Sequence, residues 1–134
     1  MEIQGLDGRI YQWNASSCQS QTEKRSNLHK KAKELLDNRF PYDRILEEVS
    51  LPGTKTERRG GSLRADLFVP NRRLIVEVHG EQHHNFNSFF YKNKMAFYRA
   101  KARDADKREW CKLNDITLVE FNYNETPEEW SEKI

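Results

Sequence analysis

The run Leu63-Arg-Ala-Asp-Leu-Phe-Val-Pro-Asn-Arg-Arg-Leu-Ile-Val-Glu-Val-His-Gly-Glu-Gln-His-His84 gathers most of the side chains able to bind a metal or move a proton into one apparent β-hairpin. Its arms, Leu63 to Val69 and Leu74 to His79, are rich in aliphatic and β-branched residues, and Pro70-Asn71-Arg72-Arg73 reads as the short loop between them. If Val69 faces Leu74, then Asp66 faces Glu77. Opposed residues on antiparallel strands hold their Cβ atoms roughly 5 Å apart, and two carboxylates that close repel unless a cation lies between them. A divalent metal would supply that cation. Alternation along the strand then sets His79 on the same face as Glu77, close enough to act on a metal-held water. A slip of one residue in register would undo the arrangement.

Outward from the hairpin, the chain reads as punctuated elements. Asp7-Gly8 between apolar-containing arms predicts a β-ribbon over Glu2 to Trp13. Ala15 to Arg25 is polar and reads as a linker or helix entry. Leu28, Ala32, Leu35 and Leu36 then recur at helical spacing behind Ser26, a suitable N-cap, and the helix should stop before Pro41. Ile45 to Leu51 predicts a strand ended by Pro52-Gly53, and Thr54 to Gly61 a basic loop. Beyond the hairpin, Asn85 to Asn93 is an aromatic-rich loop and a long helix follows from Lys94 or Met95 to Leu113, with Asn114 placed for a left-handed stop. Ile116 to Phe121 alternates as a last strand. A helix connecting strands predicts an α/β domain with a mixed sheet flanked by helices. Residues 1–22 are expected to form the ribbon and linker, and residues 23–134 the core.

At 134 residues and a formal net charge of +2, the chain suits one domain. It has no apolar run long enough to cross a bilayer, and its first residues lack the core of a signal peptide, so a soluble, cytoplasmic protein is expected. Cys18 and Cys111 are too few and too separated for a disulfide framework or a cysteine zinc site, and both read as ordinary thiols.

The small net charge hides an asymmetry. Residues 89–113 interleave Lys92, Lys94, Arg99, Lys101, Arg103, Lys107, Arg108 and Lys112 with Phe89, Phe90, Tyr91, Phe97 and Tyr98, whereas the chain beyond Asn114 is acidic. Basic residues mixed with aromatics suit a surface laid against nucleic acid, where phosphate neutralisation supplies most of the non-specific affinity. Arg58, Arg59, Arg64, Lys92, Lys94, Arg99 and Arg103 are the candidate DNA contacts. The plain alternative is a solvated helix face with core aromatics.

Over roughly residues 24–123 the chain resembles the PD-(D/E)XK nuclease superfamily, whose core is a helix, a three-stranded meander carrying an Asp and a Glu-x-Lys, then a helix and a strand. Asp66 matches the motif Asp, and Glu77-Val78-His79 matches Glu-x-Lys with histidine in place of lysine. That substitution and the run Val78-His79-Gly80-Glu81-Gln82-His83-His84 are similar to the branch of very-short-patch repair endonucleases and related phage homing endonucleases, as are Arg103-Asp104 and Trp110-Cys111. The resemblance implies a restriction-endonuclease-like core and a metal-dependent DNA endonuclease of repair, recombination or homing type. It implies Mg²⁺, or Mn²⁺, held by Asp66, Glu77 and the carbonyl of Val78, with His79 handling the proton. His83 and His84 are alternative matches to a second family histidine.

The superfamily usually carries a Glu on the first helix, and this chain departs from that. At about 100° per residue, the stripe Leu28-Ala32-Leu35-Leu36 leaves His29 on its flank and Glu34 nearly opposite, so His29 is the better candidate for that place. Other readings stay open. Asp66 can be an ion-pair residue for Arg64 or Arg72, and His79, His83 and His84 could form a zinc site, although no cysteine lies near to complete it. The absent lysine and first-helix acid also allow a nucleic-acid-binding module without catalysis. DNA is the expected partner in either case, and a homodimer is a further expectation.

Overall fold

The computed structural model describes residues 1–20, 25–56, 61–80 and 94–134. β1 (Glu2–Gln4) and β2 (Ile10–Gln12) pair antiparallel, Ile3 against Tyr11, around a turn in which Gly8 takes φ 81. The segment expected to be a linker instead makes a 3-10 turn at Ala15–Cys18 and then bridges Gln19 to Val49. α1 (Asn27–Arg39) begins where Ser26 Oγ accepts the His29 amide at 3.0 Å, and its buried residues are His29, Ala32 and Leu36. It ends before Pro41, which cannot continue a helix.

Among the described residues, four strands build the main sheet. β3 (Leu46–Ser50), β4 (Arg64–Val69) and β5 (Leu74–His79) form an antiparallel meander, and β6 (Thr117–Asn122) pairs parallel with β5 after α2 (Lys94–Leu113) crosses over. Val69 faces Leu74 and Leu67 faces Val76, the register expected from the loop. Arg73, at φ 47, closes the turn between those strands. β5 is an interior strand covered on both faces, so it opens with the apolar run Leu74-Ile75-Val76 and buries even Glu77 and His79.

Helices cover the two faces. Leu67, Val69, Leu74, Val76, Val119 and Phe121 pack with Ala32 and Leu36 of α1 and with Trp130 of α3 (Pro127–Glu132). On the other face Leu46, Val49, Ala65, Phe68 and Ile75 meet Trp110 and Cys111 of α2 together with Ile3 and Trp13 of the ribbon. Trp13 stacks on Phe68 at 4.9 Å and meets Trp110 edge-on at 5.3 Å. The ribbon therefore shares the sheet's core. No described helix is long and apolar enough to cross a membrane.

The end of α2 departs from expectation by one residue. Asp115, at φ 52, takes the left-handed position, while Asn114 buries its side chain. Asn114 Nδ2 donates to the carbonyls of Trp110 (2.8 Å) and Gln4 (2.9 Å), and Oδ1 accepts the Gln4 amide at 2.7 Å. Fastening the ribbon to the helix end uses every polar atom of that amide, and the tight turn passes to its neighbour.

α3 was not expected, although Thr126-Pro127-Glu128-Glu129 spells a capping box with proline at the first turn. With Glu125 before it and Lys133 after it, this helix caps the C-terminal part of the free edge of β6. Thr117 gives its amide to the carbonyl of Arg73, just before β5, and Tyr123 to that of His79 at its end, so by alternation the even-numbered residues turn their backbone outward. There Glu125 accepts the Asn122 amide at 2.9 Å, Trp130 Nε1 donates to the Asn122 carbonyl at 3.1 Å, and Lys133 Nζ to the Glu120 carbonyl at 2.7 Å.

The ribbon docks by close backbone approach. Gly53 takes φ 74, and a Cβ there would lie 2.3 Å from Gly5 Cα and 2.8 Å from the Tyr11 ring. Gly53→Ala is expected to lower stability by roughly 2 kcal/mol or more through left-handed strain and overpacking. Gly61→Ala, with nothing within 4 Å of the added carbon, is the neutral control. Denaturant midpoints of the two variants check this, and equal midpoints would disprove the docking role.

Candidate metal and acid cluster

Glu48 sits opposite Asp66 between the pairs Glu47–Leu67 and Val49–Ala65, and it holds φ 50, rare for a residue with a side chain. Its conformation shifts the phase of the strands. Leu46 and Val49 face the same core cluster although three residues apart, and so do their partners Phe68 and Ala65. Regular alternation would send each pair to opposite faces. The extra half-period falls at Glu48 and Asp66.

α1 delivers His29 to that point. Its imidazole is 5% exposed, and Nε2 lies 2.9 Å from Glu47 Oε1, an oxygen that also accepts from Arg25 Nε at 3.4 Å. Nδ1 lies 4.0 Å from Glu48 Oε1, beyond hydrogen-bonding range. One ligand atom each from His29, Glu48 and Asp66 fall within 4.8 Å of one another, a grouping that could hold a metal ion. Burial and then the charge of Asp66 push the Glu48 carboxyl above its ordinary range, His29 and Arg25 pulling the other way.

Continuing the register of β4 and β5 sets Asp66 opposite Glu77, and each side chain reaches the other strand's backbone. Glu77 Oε2 accepts the Asp66 amide at 2.8 Å, and Asp66 Oδ2 accepts the Val78 amide at 2.8 Å. The other oxygen of Glu77 is ion-paired with Lys107 Nζ of α2. Burial, then the charge of Asp66, raise the Glu77 carboxyl against the pull of Lys107. The charges of Glu77, Asp66 and Asp104 hold the Lys107 ammonium charged to higher pH than usual, against its own desolvation. Burial, then Glu77, push the Cys111 thiol up to about 12, so this cysteine stays protonated and inert, as its reading as an ordinary thiol expects.

The predicted site residues therefore divide. Asp66 joins His29, with Glu48 added, while Glu77 stands outside that three-ligand group and engages Lys107. His79 is buried at the end of β5, opposite Asn122 of β6, and its carbonyl accepts the Tyr123 amide at 2.8 Å. Val78 touches Asp66 through its N–H rather than its carbonyl. Glu34 is exposed and ends up on the solvent side of α1, as its angle predicts. Arg64, Lys94, Arg99 and Arg103 are exposed. Arg58, Arg59, His83, His84 and Lys92 lie outside the described residues.

Glu47, Glu48 and Lys107 were not singled out from the sequence. Two adjacent acids inside the apolar frame Ile45-Leu46 and Val49 were a signal for the first two. For Lys107 the signal is the stripe Ala100, Asp104, Lys107, Cys111 and Asn114, spaced four, three, four and three along α2, which puts a lysine and an aspartate on the packed side of the helix.

The chain is similar to two viral proteins over about half of its length. It is 42% identical over 64 residues, 48% of this chain and 33% of the relative, to the uncharacterized protein 033L of Invertebrate iridescent virus 3. It is 39% identical over 72 residues, 54% of this chain and 36% of the relative, to the uncharacterized protein 307L of Invertebrate iridescent virus 6. The matched part is about a third of the length of each relative. No family model and no solved structure matches the chain.

Proposed function

We propose that this domain is a metal-dependent DNA endonuclease that hydrolyses phosphodiester bonds. The supporting observation is the convergence on Asp66 of His29 from α1, Glu48 from β3 and Glu77 from β5, with Lys107 against Glu77. The order α1, β3–β4–β5, α2, β6 is also the order of elements that the PD-(D/E)XK resemblance implies. A virus-encoded nuclease is compatible with the viral source of both relatives.

Asp66 is the carboxylate around which the cation would sit. A bound divalent cation supplies charge neutralisation at the scissile phosphate and a more acidic water. The protein's own groups do the rest. Val78 N–H fixes the orientation of Asp66 by holding Oδ2. Lys107 neutralises Glu77, allowing a second acid to stay buried beside the first. His79, on the face of β5 that carries Glu77, is the proton-handling residue, since imidazole changes charge near neutral pH. Exposed Lys94, Arg99 and Arg103 of α2 and Arg64 of β4 would meet phosphates. Lys107 covering Glu77 also favours a second reading, a nucleic-acid-binding module without catalysis, which the same assays separate.

Asp66→Asn keeps an oxygen for the Val78 amide while removing the charge, so plasmid nicking is expected to fall to background with folding and DNA affinity retained. Nicking at the unaltered rate would sink the metal-dependent mechanism, and nicking absent from the unaltered protein at every divalent ion tested would favour the binding module. His79→Ala should slow nicking by roughly 10² to 10⁴ with DNA affinity unchanged. Wild-type speed would remove His79 from the chemistry. Arg99→Ala with Arg103→Ala should reduce the slope of log affinity against log salt by about 2, about 1 for each lost phosphate contact. An unchanged slope takes α2 out of the interface.

A further inference from the structure

We propose that His29 Nδ1, Glu48 and Asp66 form a site for a divalent transition cation that accepts imidazole nitrogen, in preference to Mg²⁺, with Glu47 as the residue that aims the imidazole. This deepens the nuclease reading by naming the class of ion and its ligands, while metal binding itself is measured without DNA.

Glu47 decides which nitrogen is available. A carboxylate 2.9 Å from Nε2 requires a proton on that nitrogen, which leaves the lone pair of a neutral ring on Nδ1. The carboxylate behind a ligating histidine fixes its tautomer and raises its basicity, a recurring arrangement at metal centres. Arg25 holds the same Glu47 oxygen, and the Gln19 side chain accepts the Glu47 amide at 3.0 Å, so the aiming group is itself restrained. The residue is 5% exposed, and Nδ1 lies on the side of Glu48, 4.0 Å from its Oε1.

Spacing and access agree with one ion. Ligand atoms at roughly 2.0–2.2 Å from a common cation are at most about 4.4 Å apart. The 4.0 Å between Nδ1 and Glu48 Oε1 fits directly, and the 4.8 Å limit on the whole group needs only a few tenths of an ångström of contraction. The Glu48 side chain is 22% exposed and Asp66 is only partly buried, leaving room for water or a phosphate oxygen on the ion. Mg²⁺ takes oxygen donors and sheds water reluctantly, whereas imidazole with carboxylates suits first-row transition cations.

Titration of the purified chain with Mn²⁺, followed by electron paramagnetic resonance and calorimetry, tests this. One Mn²⁺ per chain is expected, bound at least ten-fold more tightly than Mg²⁺. His29→Gln should abolish that preference, weakening Mn²⁺ at least ten-fold with Mg²⁺ changed less than three-fold. Glu47→Gln, outside the ligand set, should weaken Mn²⁺ by about 10- to 100-fold. Thermal unfolding without metal keeps loss of fold distinct from loss of a ligand, and Glu48→Gln serves if His29→Gln does not fold. Equal affinity for the two ions, or full Mn²⁺ affinity in His29→Gln, overturns the site. Tight, His29-dependent Mn²⁺ binding without nicking leaves the site standing and removes the nuclease. Nicking that is supported equally by Mg²⁺ and is indifferent to His29 does the reverse.

Discussion

The carboxylates of Glu48 and Glu77 both act on that of Asp66 within a partly buried part of the sheet, with Asp104 of α2 facing the same Lys107, and the strands can pair there because cations accompany them. Lys107 is the cation for Glu77, and Arg25 with His29 temper Glu48 from the other side. Removing one member of a buried ion pair usually costs more than the pair contributes, because the partner is left charged in a poor solvent. The strand order, the crossover of α2 and the placement of α1 therefore have to satisfy the same requirement of keeping opposite charges adjacent at Asp66. Apolar packing supplies most of the drive to fold, but this charge arrangement limits which packings are acceptable.

The hairpin was legible because its loop and its two faces agree. Pro70 and the αL turn at Arg73 leave little freedom in register, and a slip would have turned Leu74 and Val76 away from the face they share with Val69. His29 and Glu34 were separable because helical geometry turns a spacing into an angle. Glu48 was not legible for the opposite reason: its left-handed backbone breaks the two-residue period on which strand reading depends. The pairing of Val69 with Leu74 is the expected one, but the cation that engages Glu77 is contributed by a helix thirty positions later, and no local pattern pairs the two. Asn114 shows a smaller form of the same limit, since its role is set by the carbonyl of Gln4, 110 residues away.

α2 has to serve two solvents. Its packed stripe carries Asp104 and Lys107 where an ordinary amphipathic helix would carry leucine, while Arg99 and Arg103 remain outside. A helix whose inner side is half polar gains little from burial alone, so Trp110 carries much of its attachment, fully buried against Trp13 and donating Nε1 to the Pro52 carbonyl at 2.9 Å. Substitutions at Trp110 and at Lys107 should therefore act through different routes, one on general adhesion of the helix and the other on the charge balance beside Asp66.

The sealed margin of β6 has a consequence for how this domain keeps company with others. An exposed strand is a template for amyloid-like growth or for a stray peptide, and proteins protect such strands at some cost. Here a newcomer would first have to strip Lys133, Trp130 and Glu125 from the main-chain groups they occupy. The Glu120 carbonyl and both outward main-chain groups of Asn122 are thus spoken for within the chain. In a crowded cell, the sheet is terminated chemically rather than by mere distance from its neighbours.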